Sequence, residues 1–454
     1  MKGAKTTALN HDLARELIRA GAQDRVLRLV GKTHPADIAL LFTGLGSTEI
    51  RFLFDLLYSI RRADKTLKEL PHDLLPDILA CIEDEKVARV ISRADPDDAV
   101  TFIDALPEER RERVLTLVEP EGKEKLRKLI SYPEGTVGRI MTTDYLSLPP
   151  DTTAQGAIDK IRERGELETF FYLYVTDRDG KLTGVVPIRN LVVAPPDRWL
   201  GDLMIPEPVR ADAHMDPEEA SRLVSKYELL ALPIVNNEGQ LVGIITMDDV
   251  IDIINKETTE DMYKLAGLEE EDRVFTPAGR SIKMRLPWTV LNLVTASLAA
   301  SVIGLFEGTL DKLVALATFF PIVAAVGGNA GIQTLTIIIR GIALGELEFS
   351  SAWRAVLKQV WINAAIGAVA GGVVTVLIVY IWEGNPLIGA ILAAALIVNM
   401  GIVAGLSGTL VPLTLKWLQF DPAVGSGIIV TALTDFFGYF TFLYLATSFL
   451  HYLT

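Results

Sequence analysis

A lone carboxylate, Asp435, sits in the middle of a long apolar stretch near the end of this 454-residue chain. Residues 421–450, DPAVGSGIIVTALTDFFGYFTFLYLATSFL, predict one membrane-spanning helix. Counted from Asp421 at about 1.5 Å per residue, Asp435 lies roughly 21 Å along it, well inside a hydrocarbon core about 30 Å thick. An aspartate at that depth costs roughly 2.5–3.5 kcal/mol, so it is expected to face a polar cavity or a partner helix rather than lipid. Its chemistry is cation binding. The bland alternative is a hydrogen bond that pins two helices together.

A second apolar run carries polar groups at membrane depth. In FFPIVAAVGGNAGIQTLTIIIRG (319–341), Pro321 and the glycines Gly327, Gly328 and Gly331 loosen the helix backbone. Asn329, Gln333, Thr334 and Thr336 add amides and hydroxyls. Glycines alone serve close helix packing. Glycines joined to Asn and Gln suit a pore whose carbonyls and amides touch a hydrated ion. Segment four carries Asn399, Ser407 and Gly408, read here as packing residues.

The third constellation is acidic and lies before the membrane segments. In helical phase Asp249, Asp252, Glu257, Glu260 and Asp261 recur along MDDVIDIINKETTEDMYKL (247–265), several on one face. Like charges so placed repel unless a cation or a basic partner comes between them. Oxygen-only ligands suit Mg²⁺ or Ca²⁺ rather than zinc. A solvated acidic face is the plain alternative.

These residues need elements to position them. Five apolar segments, roughly 286–306, 314–341, 354–381, 387–415 and 422–450, read as membrane spans in a domain over 284–454. With the N-terminus inside, their cytoplasmic flanks hold seven Lys and Arg and the outer flanks only Lys312. The expectation is a multi-pass protein of the plasma membrane, N-terminus cytoplasmic and C-terminus outside. An odd number of spans leaves no even inverted repeat, so a pore is expected on the axis of a homodimer.

The charge is lopsided. Residues 284–454 hold six Lys+Arg against seven Asp+Glu, so −13 of the formal −14 falls in residues 1–283. An acidic soluble half is a poor nucleic-acid binder and attracts cations. The single cysteine, Cys81, excludes an intrachain disulfide. The N-terminal residues lack the apolar core of a signal peptide, so this half is expected to stay in the cytoplasm.

Within it, residues 1–132 show helical spacing with almost no strand signal, as in Leu74, Leu75, Ile78, Leu79 and Ile82. Short punctuators, HPAD at 34–37 and ADPDD at 94–98, supply caps and first-turn residues. The expectation is an all-α superhelical domain of stacked helix pairs. Two units of one layout follow over 138–200 and 201–256. The first runs MTTDYLSLPPDTTAQGAIDKIRER and FFYLYVTDRDGKLTGVVPIRNLV; the second MIPEPVRADAHMDPEEASRLVSKY and LALPIVNNEGQLVGIITMDDVIDII. Each gives a Met, a helix, a strand, a turn (RDG, NEG) and a strand leading into a helix. This duplication resembles a tandem pair of CBS domains, an α/β module whose clefts can hold adenine nucleotides. The resemblance implies nucleotide contacts at Thr246 and Asp249 in the second unit. Pro187 and Asn190 stand at the equivalent positions of the first unit and put nucleotide binding in doubt.

The order of parts, with a connecting (plug) helix expected over 257–283, resembles the MgtE family of magnesium channels. The most specific stretches are PIVAAVGGNAGIQTLTIIIRG (321–341), DPAVGSGIIVTALTDFFG (421–438) and MDDVIDIINKETTEDMYKL (247–265). The resemblance implies a homodimeric Mg²⁺-selective channel with Asp435, and more softly Asn329, in the pore. It also implies cytosolic Mg²⁺ sensing by Asp97, Asp249, Asp252, Glu257, Glu260 and Asp261, and by Asp216 and Glu218. The family often has a second N-domain aspartate four residues after the first; here that position is Thr101, which predicts a weaker or shifted sensor. Gly427 stands where some members carry a polar residue. Two other readings remain open: an ion-coupled secondary Mg²⁺ transporter, and a non-conducting CBS-domain membrane sensor. No Walker-type loop, nucleophile elbow or His-metal motif supports an enzyme.

Overall fold

The computed structural model describes residues 11–71, 74–164, 171–268, 272, 274, 276–347, 352–381 and 385–453. They form two compact units, Met1–Ile254 and Asn255–Thr454.

The first unit begins with helices stacked one after another from His11–Arg19 to Pro120–Ile130. Their apolar faces meet in one core through Ile38, Leu53, Phe54, Leu57, Ile78, Phe102 and Ile103, all fully buried. The punctuators act as read: His34 accepts from Ala36 N, and Pro35 and Pro96 occupy first-turn positions where no amide donor is needed. Helix Pro96–Asp104 therefore opens on Asp97 and Asp98, where the helix dipole favours negative charge.

Two small sheets follow. In the first, β1 (Ser147–Leu148) runs parallel to β2 (Tyr172–Thr176), which pairs antiparallel with β3 (Leu182–Pro187), and β3 with β4 (Ile205–Pro206). In the second, β5 (Ala211–Asp212) runs parallel to β6 (Ala231–Val235), which pairs antiparallel with β7 (Leu241–Thr246). The duplication extends to detail. Both hairpins carry a register shift, at Val175/Thr176 and at Ile234/Val235. Both turns use a side-chain oxygen on two following amides, Asp177 in one and Asn236 in the other, and a left-handed glycine, Gly180 or Gly239. The repeated methionines seat on strand glycines: a Cβ at Gly184 would collide with Met204, and one at Gly243 with Met141.

The second unit holds the five long apolar helices Ala278–Leu305, Val314–Ala343, Ala352–Tyr380, Pro386–Trp417 and Ser426–Ser448, each long enough to cross a membrane. The structure moves some expected boundaries. The helix opened at Met247 stops at Leu265, where Gly267 takes a left-handed φ of +68° suited to ending a helix, so no single connecting helix spans 257–283. Residues 269–271, 273 and 275 of that stretch lie outside the described residues. The fifth span starts at Ser426 rather than near 421, because Gly425 is left-handed and Asp421 Oδ1 accepts from Ala423 N in a turn of its own. Asp435 is therefore the tenth residue of a 23-residue helix, about 14 Å from its start.

Candidate ion pathway and acidic cluster

The second, fourth and fifth spans pack through small residues. Gly331 leaves room for Val430, and Gly408 for Thr334. The fourth span widens into a π turn over Asn399–Ala404, a local distortion that recurs at functional sites. Asn399 is fully buried, donates from Nδ2 to the Val323 carbonyl at 3.3 Å, and sits where a Cβ on either Gly327 or Gly438 would strike it. Its Oδ1 has no partner among the described residues. One glycine of the second span and one of the fifth thus yield to a single amide, which fixes their separation at the depth of the polar residues. A second buried amide, Asn363, donates to Thr334 Oγ1 at 2.8 Å.

Asp435 and Asn329 lie outside that packed seam. Asn329 is exposed on the second span, and Asp435 is half-exposed on the fifth. Neither is taken up in the helix-to-helix bonds that hold Asn363 and Asn399. Gln333 and Thr336 are also exposed, though Thr336 returns its hydroxyl to the Ile332 carbonyl. A carboxylate and an amide are thus presented from two adjoining helices, on surface that one chain leaves open.

In the first unit the structure gathers carboxylates that sequence spacing had kept apart. Asp97 and Asp98 are set by helix Pro96–Asp104. Its far end is clamped by Arg139, whose guanidinium grips Asp104 through two hydrogen bonds of 3.0 and 2.6 Å. Asp249 is the third residue of helix Met247–Leu265, and its Oδ2 lies 3.1 Å from Thr246 N and 2.6 Å from Thr246 Oγ1, a helix cap. Burial raises the carboxyl of Asp97, and the charges of Asp98 and Asp249 raise it further. Burial also pushes Asp98 up to about 7, helped by Asp95 and Asp249 against the pull of Lys68. Asp249 is raised by the same desolvation. Asp97 Oδ1 is buried without a hydrogen-bond partner among the described residues. Lys68 Nζ stands 3.3 Å from Asp98 Oδ2, and the surrounding carboxylates outweigh burial to keep it charged.

Lys68 and Asp98 are the residues that sequence reasoning missed. The signal was present in ADPDD, read only as a cap. Thr101, at the family's usual second aspartate, returns its hydroxyl to the Asp97 carbonyl at 3.2 Å; Asp98 supplies a carboxylate one residue away instead. Asp216 and Glu218 are engaged locally: Asp216 caps its helix by accepting from Glu218 N, and Glu218 pairs with Arg222. Asp252 is exposed, and Glu260 is paired with Lys264. Among the described residues no three carboxylates converge closely enough to hold a bare metal ion. An all-oxygen set with an unpartnered buried oxygen does fit Mg²⁺, which keeps several of its waters and needs few protein ligands.

The shifted carboxyls carry a pH prediction. A folded-state carboxyl near 7, against an ordinary value near 4, binds its proton more tightly folded than unfolded. Its stabilisation is complete below the ordinary carboxylate range and is lost as pH rises through 7. The first unit should therefore melt at a lower temperature at pH 8 than at pH 5.5. Asp98→Asn should flatten that dependence in thermal unfolding; an unchanged slope would contradict the assignment.

Known proteins resemble successive stretches of this chain. Residues 33–135 match the MgtE intracellular N domain, 137–197 and 200–256 match CBS domains, and 320–445 match the MgtE divalent cation transporter domain. The chain is 31% identical to the magnesium transporter MgtE of Bacillus subtilis over 437 residues, 96% of each protein. It is 29% identical to that of Thermus thermophilus over 439 residues, 95% of this chain and 96% of the relative. The crystal structure of the cytosolic domain of the Mg²⁺ channel MgtE in complex with ATP aligns at 27% identity with a TM-score of 0.51, covering 54% of this chain and 99% of that one. The doubt raised by Pro187 and Asn190 finds no support in that complex.

Proposed function

Because this chain belongs to the MgtE family and is a membrane transporter of Mg²⁺, not an enzyme, we propose that it works as a Mg²⁺-selective channel closed by cytosolic Mg²⁺. The observation that carries the pore is Asp435. It sits mid-helix in the fifth span, half-exposed and outside the bonds that lock that helix to its neighbours. Two copies of the chain would bring two such carboxylates to a common axis, with Asn329 lining the approach. Mg²⁺ parts with its waters reluctantly, so a pair of carboxylates held by packing would attract the hydrated ion without stripping it. Asn399 contributes by keeping the second and fifth spans at fixed spacing.

The gate is an electrostatic device. Without cytosolic Mg²⁺ the carboxylates of Asp97, Asp98 and Asp249 stand close together in buried surroundings; burial first, and then neighbouring negative charge, raises their proton affinity, and bringing them together as anions is costly. Asp252, Glu257, Glu260 and Asp261 continue the negative line along the connector, and Asp216 and Glu218 add charge at the surface of the second CBS unit. Mg²⁺ bound between these groups would offset the repulsion, draw the connectors of a homodimer together and close the pore. This reading puts the protein in the plasma membrane with its N-terminus in the cytoplasm and C-terminus outside, as the excess of Lys and Arg on one set of span flanks supports. An adenine nucleotide in the CBS cleft, contacted by Thr246 and Asp249, is part of this reading, supported by the ATP complex of the similar cytosolic domain.

Inside-out patches test it directly. Unitary currents should appear at low Mg²⁺ and vanish as Mg²⁺ on the cytoplasmic face rises into the millimolar range. Saturable flux without unitary currents, lost on collapsing a proton or sodium gradient, would replace the channel by a coupled carrier.

A further inference from the structure

The connector ends on the first turns of the fifth span, and one lysine ties the two together. Lys264, in the last turn of helix Met247–Leu265, bonds Asp421 through Nζ and pairs in the same place with Glu260 one turn back. Both carboxylates are partly shielded from solvent, with about 26% and 33% of the side-chain surface of Glu260 and Asp421 exposed. Asp421 is not a free-swinging partner: its other oxygen accepts from Ala423 N, which fixes the carboxylate at the entrance of the fifth span.

Three further contacts close the joint. A Cβ on Gly427 would stand 2.9 Å from the Leu265 carbonyl, so the connector's last turn rests directly on the backbone of the fifth span. The Leu265 side chain packs with buried Leu335, Ile339, Ala423 and Val430. Trp288 of the first span lies against two left-handed glycines, Gly267 after the connector and Gly425 before the fifth span. Gly427 thus has a physical account: any side chain there would lift the connector off its seat.

We propose that Lys264 is the positioning residue that transmits connector movement to the fifth span, its ammonium shared between Glu260 and Asp421 over the Gly427 seat. This rests on the Mg²⁺-closed channel proposed above. Asp435 lies on the same helix, so a displacement of the connector reaches the pore through this joint without passing through lipid. Glu260 also changes role: its carboxylate holds the Lys264 ammonium where it reaches Asp421.

The test uses the full chain in patches and in detergent. Lys264→Met should raise the cytosolic Mg²⁺ needed for half-closure by about fivefold or more, the lower end of ordinary coupling between sites. Mg²⁺ should still protect its soluble portion from protease. Lys264→Arg, which keeps the charge, should close as the wild type does. The exchange Lys264→Glu with Asp421→Lys should restore closure to within about twofold, because the new lysine can bridge both glutamates. Should Lys264→Met fold poorly, the exchange and arginine variants carry the test. Closure of Lys264→Met at the wild-type Mg²⁺ level, or an exchange variant that stays uncoupled, overturns the inference alone. A wild-type channel indifferent to cytosolic Mg²⁺ overturns the gating reading and this inference with it.

Discussion

Asp435→Ala should abolish Mg²⁺ uptake and leave the protein at least as stable as the wild type. The two halves of that expectation have one cause. Asp435 stands mid-helix, outside the bonds joining the spans, while the neighbouring positions Thr434 and Gly438 are buried in the seam. Removing it breaks no packing and relieves the roughly 2.5–3.5 kcal/mol cost of an aspartate at membrane depth. For a hydrated divalent ion about 5 Å away, one carboxylate contributes between about 2 and 7 kcal/mol as the effective dielectric falls from water's to about 20. The dimeric pore proposed above would lose two of these. Uptake into proteoliposomes should fall by at least about a hundredfold, with thermal unfolding unchanged or shifted upward. Asp435→Asn should fall nearly as far, since the amide keeps shape and loses charge. A variant that transports normally would remove Asp435 from the pathway; one that fails to fold would make it a structural residue.

Asp435 was legible because polarity inside an apolar run is a local property of sequence. The same holds for the repeated α/β units, whose strand–turn–strand texture appears twice in one order, down to paired Met and Gly positions. What escaped was whatever depends on residues distant in sequence. Lys68 and Asp98 meet across thirty positions, and nothing in ADPDD announces that Asp98 faces a lysine and Asp249. Asn399 reads as a packing residue among glycines, and it packs as expected. Its partners, Val323, Gly327 and Gly438, come from two other helices. The end of the connector was misjudged because carboxylate spacing continued the helical phase, while a single glycine, Gly267, with its left-handed backbone marks the stop. Periodicity finds a helix more readily than its end.

Replacing two of the carboxylates proposed to sense Mg²⁺, Asp249→Asn with Glu257→Gln, should leave a channel that no longer closes at physiological cytosolic Mg²⁺. Both changes keep side-chain size, so the capping contact between Thr246 and position 249 survives in part and the helix is retained. The charge is lost from two places at once: the desolvated group facing Asp97 and Asp98, and the acidic line of the connector. A hydrated Mg²⁺ has few protein ligands to begin with, so each carboxylate carries a large share of its affinity. A loss of about 1.4 kcal/mol per site is tenfold in affinity, and two sites give roughly a hundredfold if independent. The half-closing concentration should then pass beyond the millimolar range in inside-out patches, while unitary conductance stays as in the wild type because Asp435 is untouched. The two variants thus fail in opposite directions, Asp435→Ala silent at every Mg²⁺ level and the double variant open at every level. Unchanged closure in the double variant would mean that the acidic line is a solvated face, and that whatever closes the pore binds elsewhere.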